Sequence, residues 1–308
     1  MTVSGVNFPT STGPTPPGDI RRDTTPRPVP GLPGRFSGHI PEAWRVMYAF
    51  GGTTMATALR AASEAVDRDD LDLVSADATF CQAVPCGPVG VHVETLRQGR
   101  SGAQALVRLW ALDPEDRDPT GPVGNDLVVT CVFGRRDDSP LRFVGVRPPV
   151  VPGPDDCAIR PTPEGSPFAS INYHAQTDFR PALGFNAWDR DDVPPAEPRT
   201  ASWFRFLSSP MRPDGTWEPG TLAVPADVLG PAVHAGIGSS AGFFLVISLQ
   251  ISLQLVADVR TDWLLQHTRG HIADAGYATG TAELWDEDGG LVALATQCAR
   301  LQPLAPRG

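Results

Sequence analysis

A glycine pair followed by one helical stretch, residues 50 to 66, constrains the fold more than any other segment. The larger apolar residues of the stretch recur at spacings of three and four: Met55, Leu59, Ala62 and Val66. That spacing places them on one face of a helix of about four turns. After Val66 the apolar period shortens from about 3.6 residues to about 2, and strand-like segments follow in series. The sequence therefore predicts a sheet wrapped around this one helix.

Two glycines, Gly51 and Gly52, open the predicted helix. Glycine lets the backbone bend sharply, and the first N–H groups of a helix have no intrahelical acceptor. Such an N-terminus suits a carbonyl or a phosphate oxygen. Both glycines are therefore candidate substrate-binding residues, although the same pair also fits a buried helix entered through a flexible turn.

Length and composition permit two domains or two halves of one domain. The 308 residues are 41% hydrophobic and 19% charged, which is ordinary for a globular protein. The formal net charge of -10 argues against a nucleic-acid partner, because no basic field exists to displace counterions from phosphates. An anionic ligand would need a local basic patch.

The cysteines and the N-terminal sequence indicate a cellular location. The five cysteines include no Cys-x-x-Cys pair and no nearby histidine at ligand spacing, so we expect reduced thiols and neither a disulfide framework nor a metal site. The N-terminus lacks the apolar region of a signal peptide, and no apolar run approaches the roughly 18 residues of a membrane span. A cytoplasmic protein with no membrane span is predicted.

The chain divides by composition into an arm, two folded units and a connection. Residues 1 to 36 are rich in Pro, Gly, Ser and Thr, which predicts a disordered arm. Residues 37 to 147 hold the glycine-led helix and about four antiparallel strands. Residues 148 to 199 are dense in Pro and Asp and predict a surface connection, with one strand near residues 169 to 173. Residues 200 to 303 form the second unit.

The second unit repeats the order of the first. A strand over residues 201 to 207 precedes a short helix over residues 225 to 234, which Pro231 is expected to end or kink early. Four further strands follow, the last two joined by a turn. The halves share this order without convincing sequence identity. We therefore predict an α+β fold made of two repeats of a helix wrapped by an antiparallel sheet.

Four blocks carry a family likeness: Phe50-Gly-Gly-Thr-Thr-Met-Ala-Thr-Ala-Leu-Arg-Ala-Ala-Ser, Glu94-Thr-Leu-Arg-Gln-Gly-Arg-Ser101, Trp263-Leu-Leu and Asp288-Gly-Gly-Leu-Val-Ala-Leu-Ala-Thr-Gln297. In order and spacing these blocks resemble the acyl-CoA thioesterase II group of double hotdog proteins. The likeness covers about residues 40 to 301. It implies a double hotdog, in which each repeat is one helix wrapped by an antiparallel sheet.

The resemblance also implies a set of catalytic residues. Thioesterases of this group use an Asp, a Thr or Ser, and a Gln from the second half to hold and activate one water. Carried over by position, these roles fall on Asp227, Ser248 and Gln297. The chain departs from the family pattern after the hydroxyl, where Gln250 and Ile251 stand in place of the usual Asp-His pair.

Thioester hydrolysis requires an activated water and donors for the developing oxyanion. Aspartate is a weak base, so Asp227 is expected to be partly desolvated, which raises its pKa. Ser248 and Gln297 can orient the water without carrying charge. Each residue also fits an ordinary role, because Asp at a helix N-terminus is most often a cap and Ser or Gln in a strand is usually a satisfied polar group.

The function implied by the resemblance is an enzyme of lipid metabolism, an acyl-CoA thioesterase that hydrolyses a fatty or related acyl-CoA to free acid and CoA without metal or cofactor. The alternative is a hotdog protein that binds an acyl thioester but hydrolyses it poorly or not at all. A scaffold with a vestigial cavity is a third possibility. Hotdog sheets leave an edge and a face for a partner, so a homo-oligomer is expected.

Two histidine-containing segments give weaker signals for a metal site and for a hydratase. His267 and His271 lie four residues apart, but in a strand that spacing is about 13 Å, so we expect solvated histidines rather than a metal pair. The run Asn172-Tyr173-His174 with Asp178 is similar to the Asp and His of hotdog hydratases. The Asp-x-Asn-Pro-x-His run of those enzymes is absent from the sequence.

Overall fold

The computed structural model describes residues 17–115, 117–137, 140–159, 171–184, 193–242 and 244–303. Its α-helices are α1 (Ile20–Asp23), α2 (Gly51–Val66), α3 (Ala223–Ala226) and α4 (Leu229–Ile237). Its strands are β1 (Arg27–Pro28), β2 (Arg35–Ile40), β3 (Asp72–Phe80), β4 (Gly87–Gln98), β5 (Gly102–Ala111), β6 (Leu127–Gly134), β7 (Thr177–Leu183), β8 (Arg199–Phe206), β9 (Phe244–Leu255), β10 (Leu264–Asp274), β11 (Tyr277–Asp286) and β12 (Leu291–Pro303).

The strands of the described residues form one antiparallel sheet in the order β1-β2-β4-β5-β6-β3-β9-β12-β11-β10-β8-β7. The order β2-β4-β5-β6-β3 of the first half matches β8-β10-β11-β12-β9 of the second. Helix α2 precedes β3, and helix α4 occupies the same place before β9. The halves join at the β3–β9 pair, where Ser75 lies opposite Gln254 and Thr79 opposite Gln250. The predicted pair of helix-and-sheet repeats is confirmed.

Helix α2 is the core helix that the apolar spacing predicts. Met55, Leu59 and Ala62 are fully buried, and Val66 is buried nearly as deeply. The other face is buried as well in the first half of the helix, where α2 is covered by α3 and the 3-10 helix Pro219–Leu222 that precedes it, whereas Ser63 and Glu64 near its end are exposed. The polar residues buried in this helix are small, and the Thr57 hydroxyl donates to the carbonyl of residue 53 at 3.0 Å.

The N-terminal segment differs from the predicted disordered arm. Residues 1–16 lie outside the described residues, but residues 17–36 pack on the core. Asp19 caps α1 by accepting from the backbone N–H of Arg22, and the Ile20 side chain is fully buried. Asp23 accepts from the indole N–H of Trp44 at 2.9 Å. Proline-rich composition suggested disorder, yet one buried isoleucine and one buried carboxylate anchor this short segment.

In its described residues, the connection between the halves contributes one strand, displaced from its predicted position. A 3-10 helix, Asn172–Gln176, stands where part of the strand near residues 169 to 173 was expected, and β7 follows it. Residues 169 and 170 lie outside the described residues. Strand β7 pairs with β8 and extends the sheet. Strand β7 was hard to predict from the sequence because Pro181 interrupts its alternation of apolar and polar residues.

His267 is not the solvated residue that its strand position suggested. It is 1% exposed, and its Nδ1 lies 2.8 Å from Glu283 Oε2. The face of β10 that carries it is packed against an apolar cluster: Trp203, Trp263, Leu265 and Trp285. The connection covers this cluster, where the Trp203 indole N–H donates to the Pro152 carbonyl at 2.8 Å. His271 is exposed, as expected.

No helix in the described part of the chain has the length and apolarity that crossing a membrane requires.

Candidate functional site

Asp227 lies in a two-residue break between α3 and α4. The sequence predicted one short helix over residues 225 to 234, ended or kinked by Pro231. Pro231 instead lies in the first turn of α4, where no backbone N–H needs an intrahelical acceptor. Because proline has no N–H to donate to the carbonyl of Asp227 four residues earlier, the helix cannot run continuously through this point. At the break Asp227 has a non-helical backbone conformation, with φ −86° and ψ 67°.

Three donors from three different elements reach the Asp227 carboxylate. The Ser248 hydroxyl on β9 donates to Oδ1 at 2.6 Å, and Gln297 Nε2 on β12 donates to the same oxygen at 2.9 Å. The backbone N–H of Gly52, at the start of α2, donates to Oδ2 at 3.0 Å. The structure thus brings together the three residues that the family likeness indicated, and the carboxylate links the two halves of the chain.

Gln297 is held in one orientation by the start of the second helix. Its Oε1 accepts from the backbone N–H of Leu229, the first residue of α4, at 3.1 Å. The amide NH₂ must therefore point the other way, toward the carboxylate. It donates to Ser248 Oγ at 2.6 Å as well as to Asp227. Ser248 accepts from Gln297 and donates to Asp227, so the three side chains form a closed hydrogen-bond network.

Burial raises the pKa of Asp227 above its ordinary value. The hydrogen bonds from Ser248, Gly52 and Gln297 favour the ionised form and oppose that shift, but desolvation is the larger effect. A carboxylate whose pKa is raised has the basicity that a general base requires, and fixed donors give it the required orientation. The expected desolvation of Asp227 is confirmed.

The two glycines at the start of α2 are needed because other groups approach them closely. A Cβ on Gly51 would lie 2.6 Å from Asp227 Oδ2. A Cβ on Gly52 would lie 2.6 Å from the Cα of Val224 and 2.7 Å from the carbonyl oxygen of Ala223. These separations are below van der Waals contact, so a side chain at either position would push α3 and the carboxylate away from α2.

The start of α2 is only partly open to a ligand. The sequence suggested that the N–H groups of both glycines are available, but the Gly52 N–H is already bonded to Asp227. The Gly51 N–H binds no acceptor within the described residues. An open N–H beside a carboxylate, at the positive end of a helix, can stabilise negative charge that develops on a bound carbonyl oxygen.

A cavity of about 720 Å³ opens beside the network and has a mostly apolar lining. Its volume lies in the range of small-molecule sites. Phe50 and Tyr173 both line it and stack on each other with ring centroids 4.4 Å apart, next to the start of α2. The described lining residues include no Lys or Arg. The local basic patch that an anionic ligand would need is therefore not part of the described cavity wall.

Tyr173 and His174 are cavity residues that the sequence marked only as a weak hydratase signal. Burial raises the pKa of Tyr173, and the nearby negative charge of Asp227 adds to the shift. Burial lowers the pKa of His174 to about 4, so this imidazole is neutral at physiological pH. Gln266, which no sequence signal distinguished, also lines the cavity.

Among the residues that the structure describes, no group of three or more His, Cys, Asp or Glu could hold a metal ion.

Two family models match the sequence. The model of the acyl-CoA thioesterase N-terminal domain matches residues 40–134, and the model of the acyl-CoA thioesterase C-terminal domain matches residues 154–301. No curated protein matches the chain in sequence.

Several known structures share the fold. A protein of unknown function with a hot dog fold from Alicyclobacillus acidocaldarius is 23% identical, covers 93% of this chain and 98% of its own, and has a TM-score of 0.72. A candidate thioesterase from Novosphingobium aromaticivorans is 27% identical, with coverages of 89% and 98% and a TM-score of 0.69. The acyl-CoA thioesterase II TesB2 from Mycobacterium marinum is 19% identical, with coverages of 92% and 98% and a TM-score of 0.69. The chain has the double hotdog fold and belongs to the acyl-CoA thioesterase family.

Proposed function

We propose that this protein is a cytoplasmic enzyme of lipid metabolism that hydrolyses a fatty or related acyl-CoA through a water activated by Asp227, Ser248 and Gln297. The observation that supports the proposal most is the convergence of two polar side chains and one backbone N–H on one half-buried carboxylate in the wall of an apolar cavity. Such a carboxylate is costly to bury, and a purely structural role would not require the adjacent cavity.

Asp227 is the general base in this mechanism. Its two oxygens offer about four acceptor positions, of which Ser248, Gln297 and Gly52 occupy three. The remaining position, on Oδ2, can accept a hydrogen from a water. Oδ1 is held by two donors, so the carboxylate cannot rotate away from that water. Ser248 and Gln297 therefore position the base, and Asp227 takes the proton as the water oxygen attacks the thioester carbonyl carbon.

The start of α2 supplies the donor for the oxyanion. As the carbon–oxygen double bond of the thioester becomes single, negative charge moves to the carbonyl oxygen. The unoccupied N–H of Gly51 lies beside Asp227 Oδ2, so a carbonyl oxygen at this N–H leaves its carbon within reach of the activated water. The carbon–sulfur bond then breaks, and the proton held by Asp227 passes to the CoA sulfur, which restores the carboxylate.

The lining of the cavity suits the apolar acyl chain of the substrate but not the charged phosphates of CoA. Its apolar wall suits an acyl chain, which gains free energy on leaving water. Its described lining has no Lys or Arg, so the phosphates of CoA are expected to stay outside while the acyl chain and the thioester enter. Neither a metal nor a cofactor takes part in this mechanism.

Free-thiol release from acyl-CoAs of graded chain length tests the proposal, with binding of the same acyl groups as non-hydrolysable thioether analogues measured in parallel. We expect turnover that depends on chain length, with binding and turnover following the same preference. Tight binding of the analogues without thiol release on any chain would contradict the proposal and identify an acyl-thioester-binding protein. Neither binding nor release would indicate a vestigial cavity.

A further inference from the structure

One hydrogen-bond donor in the cavity wall has no part in the proposed mechanism. The phenol hydroxyl of Tyr173 forms no hydrogen bond within the described residues, although the backbone N–H of the same residue donates to the Arg45 carbonyl at 3.2 Å. The hydroxyl is also not among the enclosed polar atoms that lack a partner, so part of its surface is accessible. This donor is therefore open to a group from outside the chain.

The accessible part of this hydroxyl faces the cavity. Tyr173 lines the cavity and is half-buried. Burial raises the pKa of its phenol, so protein surrounds the hydroxyl, and the charge of Asp227 adds to the same shift. A hydroxyl that is surrounded by protein and still accessible borders an internal space, and the cavity is the space that Tyr173 lines. The raised pKa also keeps the phenol protonated, so it remains a donor at neutral pH.

Stacking holds the phenol ring beside the start of α2. The ring of Tyr173 lies on that of Phe50, with centroids 4.4 Å apart and planes inclined by 28°. Phe50 is the N-cap of α2, so a peptide bond joins it to Gly51. The 3-10 helix that carries Tyr173 is anchored by Asn172, whose Nδ2 donates to the Glu42 carbonyl at 2.8 Å. A side chain that is ordered before binding loses little conformational entropy when it hydrogen-bonds a ligand.

The thioester carbonyl oxygen is a better acceptor for this donor than the attacking water. The water gives one hydrogen to Asp227 and uses a lone pair of its oxygen to attack the carbonyl carbon. A phenol that donated to that oxygen would draw on the same electrons and weaken the nucleophile. The carbonyl oxygen gains negative charge in this step, so a donor there stabilises the transition state more than the ground state. That oxygen has two lone pairs, and the Gly51 N–H uses one of them.

We propose that Tyr173 is a catalytic residue whose hydroxyl donates to the thioester carbonyl oxygen alongside the Gly51 N–H, giving an oxyanion hole with two donors. This inference rests on the proposed function of the same site. Tyr173 transfers no proton. Its O–H bond stays intact while negative charge moves to the carbonyl oxygen, and the proton from the water passes through Asp227 to the CoA sulfur.

The experiment compares the wild type with Tyr173→Phe and Tyr48→Phe. Phenylalanine keeps the ring that stacks on Phe50 and removes only the hydroxyl. Tyr48 also lines the cavity but is 51% exposed, so Tyr48→Phe is the matched control. We expect kcat on the best acyl-CoA to fall by roughly 10² to 10³ in Tyr173→Phe, as for the loss of one oxyanion donor, and to stay at the wild-type value in Tyr48→Phe. The melting temperature should be nearly unchanged in both variants.

Binding of two non-hydrolysable analogues tests the hydrogen bond without turnover. A ketone analogue, in which a methylene replaces the sulfur, keeps the carbonyl oxygen, and a thioether analogue lacks it. Tyr173→Phe should weaken binding of the ketone by roughly 5- to 10-fold, as expected for one neutral hydrogen bond, and leave binding of the thioether unchanged. The infrared carbonyl stretch of the bound ketone should rise in frequency in this variant, because one donor fewer polarises the carbonyl.

The two sets of measurements separate this inference from the proposed function. If the wild type releases no thiol, the proposed function fails, and the ketone results alone support or overturn the hydrogen bond from Tyr173. Wild-type kcat in Tyr173→Phe would overturn the catalytic role. An unaltered carbonyl stretch would overturn the hydrogen bond. Equal weakening of both analogues would also overturn it, because the pantetheine arm that they share would then be the acceptor.

Discussion

Asp227 has a capping role that is compatible with its proposed catalytic role, although its sequence position suggested the two as alternatives. It does cap a helix, but the helix is α2 of the other half, whose Gly52 N–H it accepts, rather than α4 that follows it. The two residues are 175 positions apart, so no local pattern could reveal this pairing. The family likeness predicted which three side chains meet, and the hydrogen bonds of Gly52 and Leu229 that orient them became visible only in the fold.

The pH dependence of turnover tests the state of Asp227. Only the ionised carboxylate can accept the proton, so activity should be lost as the pH falls through the folded pKa. Since burial raises that pKa, the acid limb of kcat/KM should lie above the value of about 3.9 of an exposed aspartate. Ser248→Ala removes a bond that favours the ionised form and should move the limb further upward. A limb at or below about 3.9, or no movement in Ser248→Ala, would contradict this assignment.

The same shift predicts a pH dependence of stability. The folded state binds the Asp227 proton more tightly than the unfolded state, so this residue destabilises the fold increasingly as the pH rises from the unfolded pKa through the raised folded pKa. Asp227→Asn has no such titration. The difference in free energy of unfolding, variant minus wild type, should therefore increase with pH across this window in denaturant titrations. A difference that is independent of pH would show that the carboxyl is not shifted.

At the scale of elements, the close contact between α2 and α3 depends on the glycine pair. In most helices Gly→Ala is neutral or stabilising, but a Cβ at Gly52 would meet the backbone of α3 at 2.6 Å. We expect Gly52→Ala to cost about 2–3 kcal/mol in free energy of unfolding. Gly145→Ala, in an exposed segment where the added Cβ meets nothing closer than 3.7 Å, should change stability by less than about 0.5 kcal/mol. Equal effects would refute the close-contact explanation.

The N-terminal segment provides a second test at this scale. Ile20→Ala empties a fully buried position of α1, and we expect a loss of about 2–4 kcal/mol in free energy of unfolding. Leu32→Ala, in the same segment but 37% exposed, is the matched control and should cost less than about 1 kcal/mol. A wild-type-like melting temperature for Ile20→Ala would instead support a disordered arm.

The elements themselves were largely predictable from local patterns, and their interruptions were not. Alternating apolar residues identified the strands that became β4, β5, β6 and β9 to β12 because each buries one face against the core. The break at Asp227 was not predicted because Pro231 was expected to end or kink the helix early, whereas it lies in the first turn of α4 and interrupts the helix before that turn. The burial of His267 escaped detection because the connection that covers its face is distant in sequence.

For the whole molecule, the repeated order of helix and strands predicted a duplicated fold, but the joining of the halves through β3 and β9 required the structure. The homo-oligomer stays a prediction. The edge strands β1 and β7 are short and contain Pro28 and Pro181, which disfavours association through the sheet edges. Phe143 and Val150, on the segment after β6, are 91% and 104% exposed and offer an apolar contact for a second copy.

We expect light scattering at micromolar concentration to detect a dimer or larger species, and Phe143→Ser with Val150→Ser to lower its association constant. The same pair of changes should leave the free energy of unfolding of the single chain nearly unaltered, because both side chains are exposed. A monomer at these concentrations would contradict the oligomer. An unaltered association constant in the double variant would place the contact elsewhere.

Turnover of Asp227→Asn on the best acyl-CoA decides whether Asp227 is the general base, provided that analogue binding and free energy of unfolding are measured on the same samples. Asparagine keeps the size of the side chain but lacks its basicity, so kcat should fall by roughly 10² to 10⁴ while the analogue still binds. Asp77→Asn is the matched control, because Asp77 also accepts from a serine, Ser252, but does so outside the cavity. We expect wild-type turnover for Asp77→Asn. Wild-type turnover for a folded Asp227→Asn would contradict the proposed mechanism.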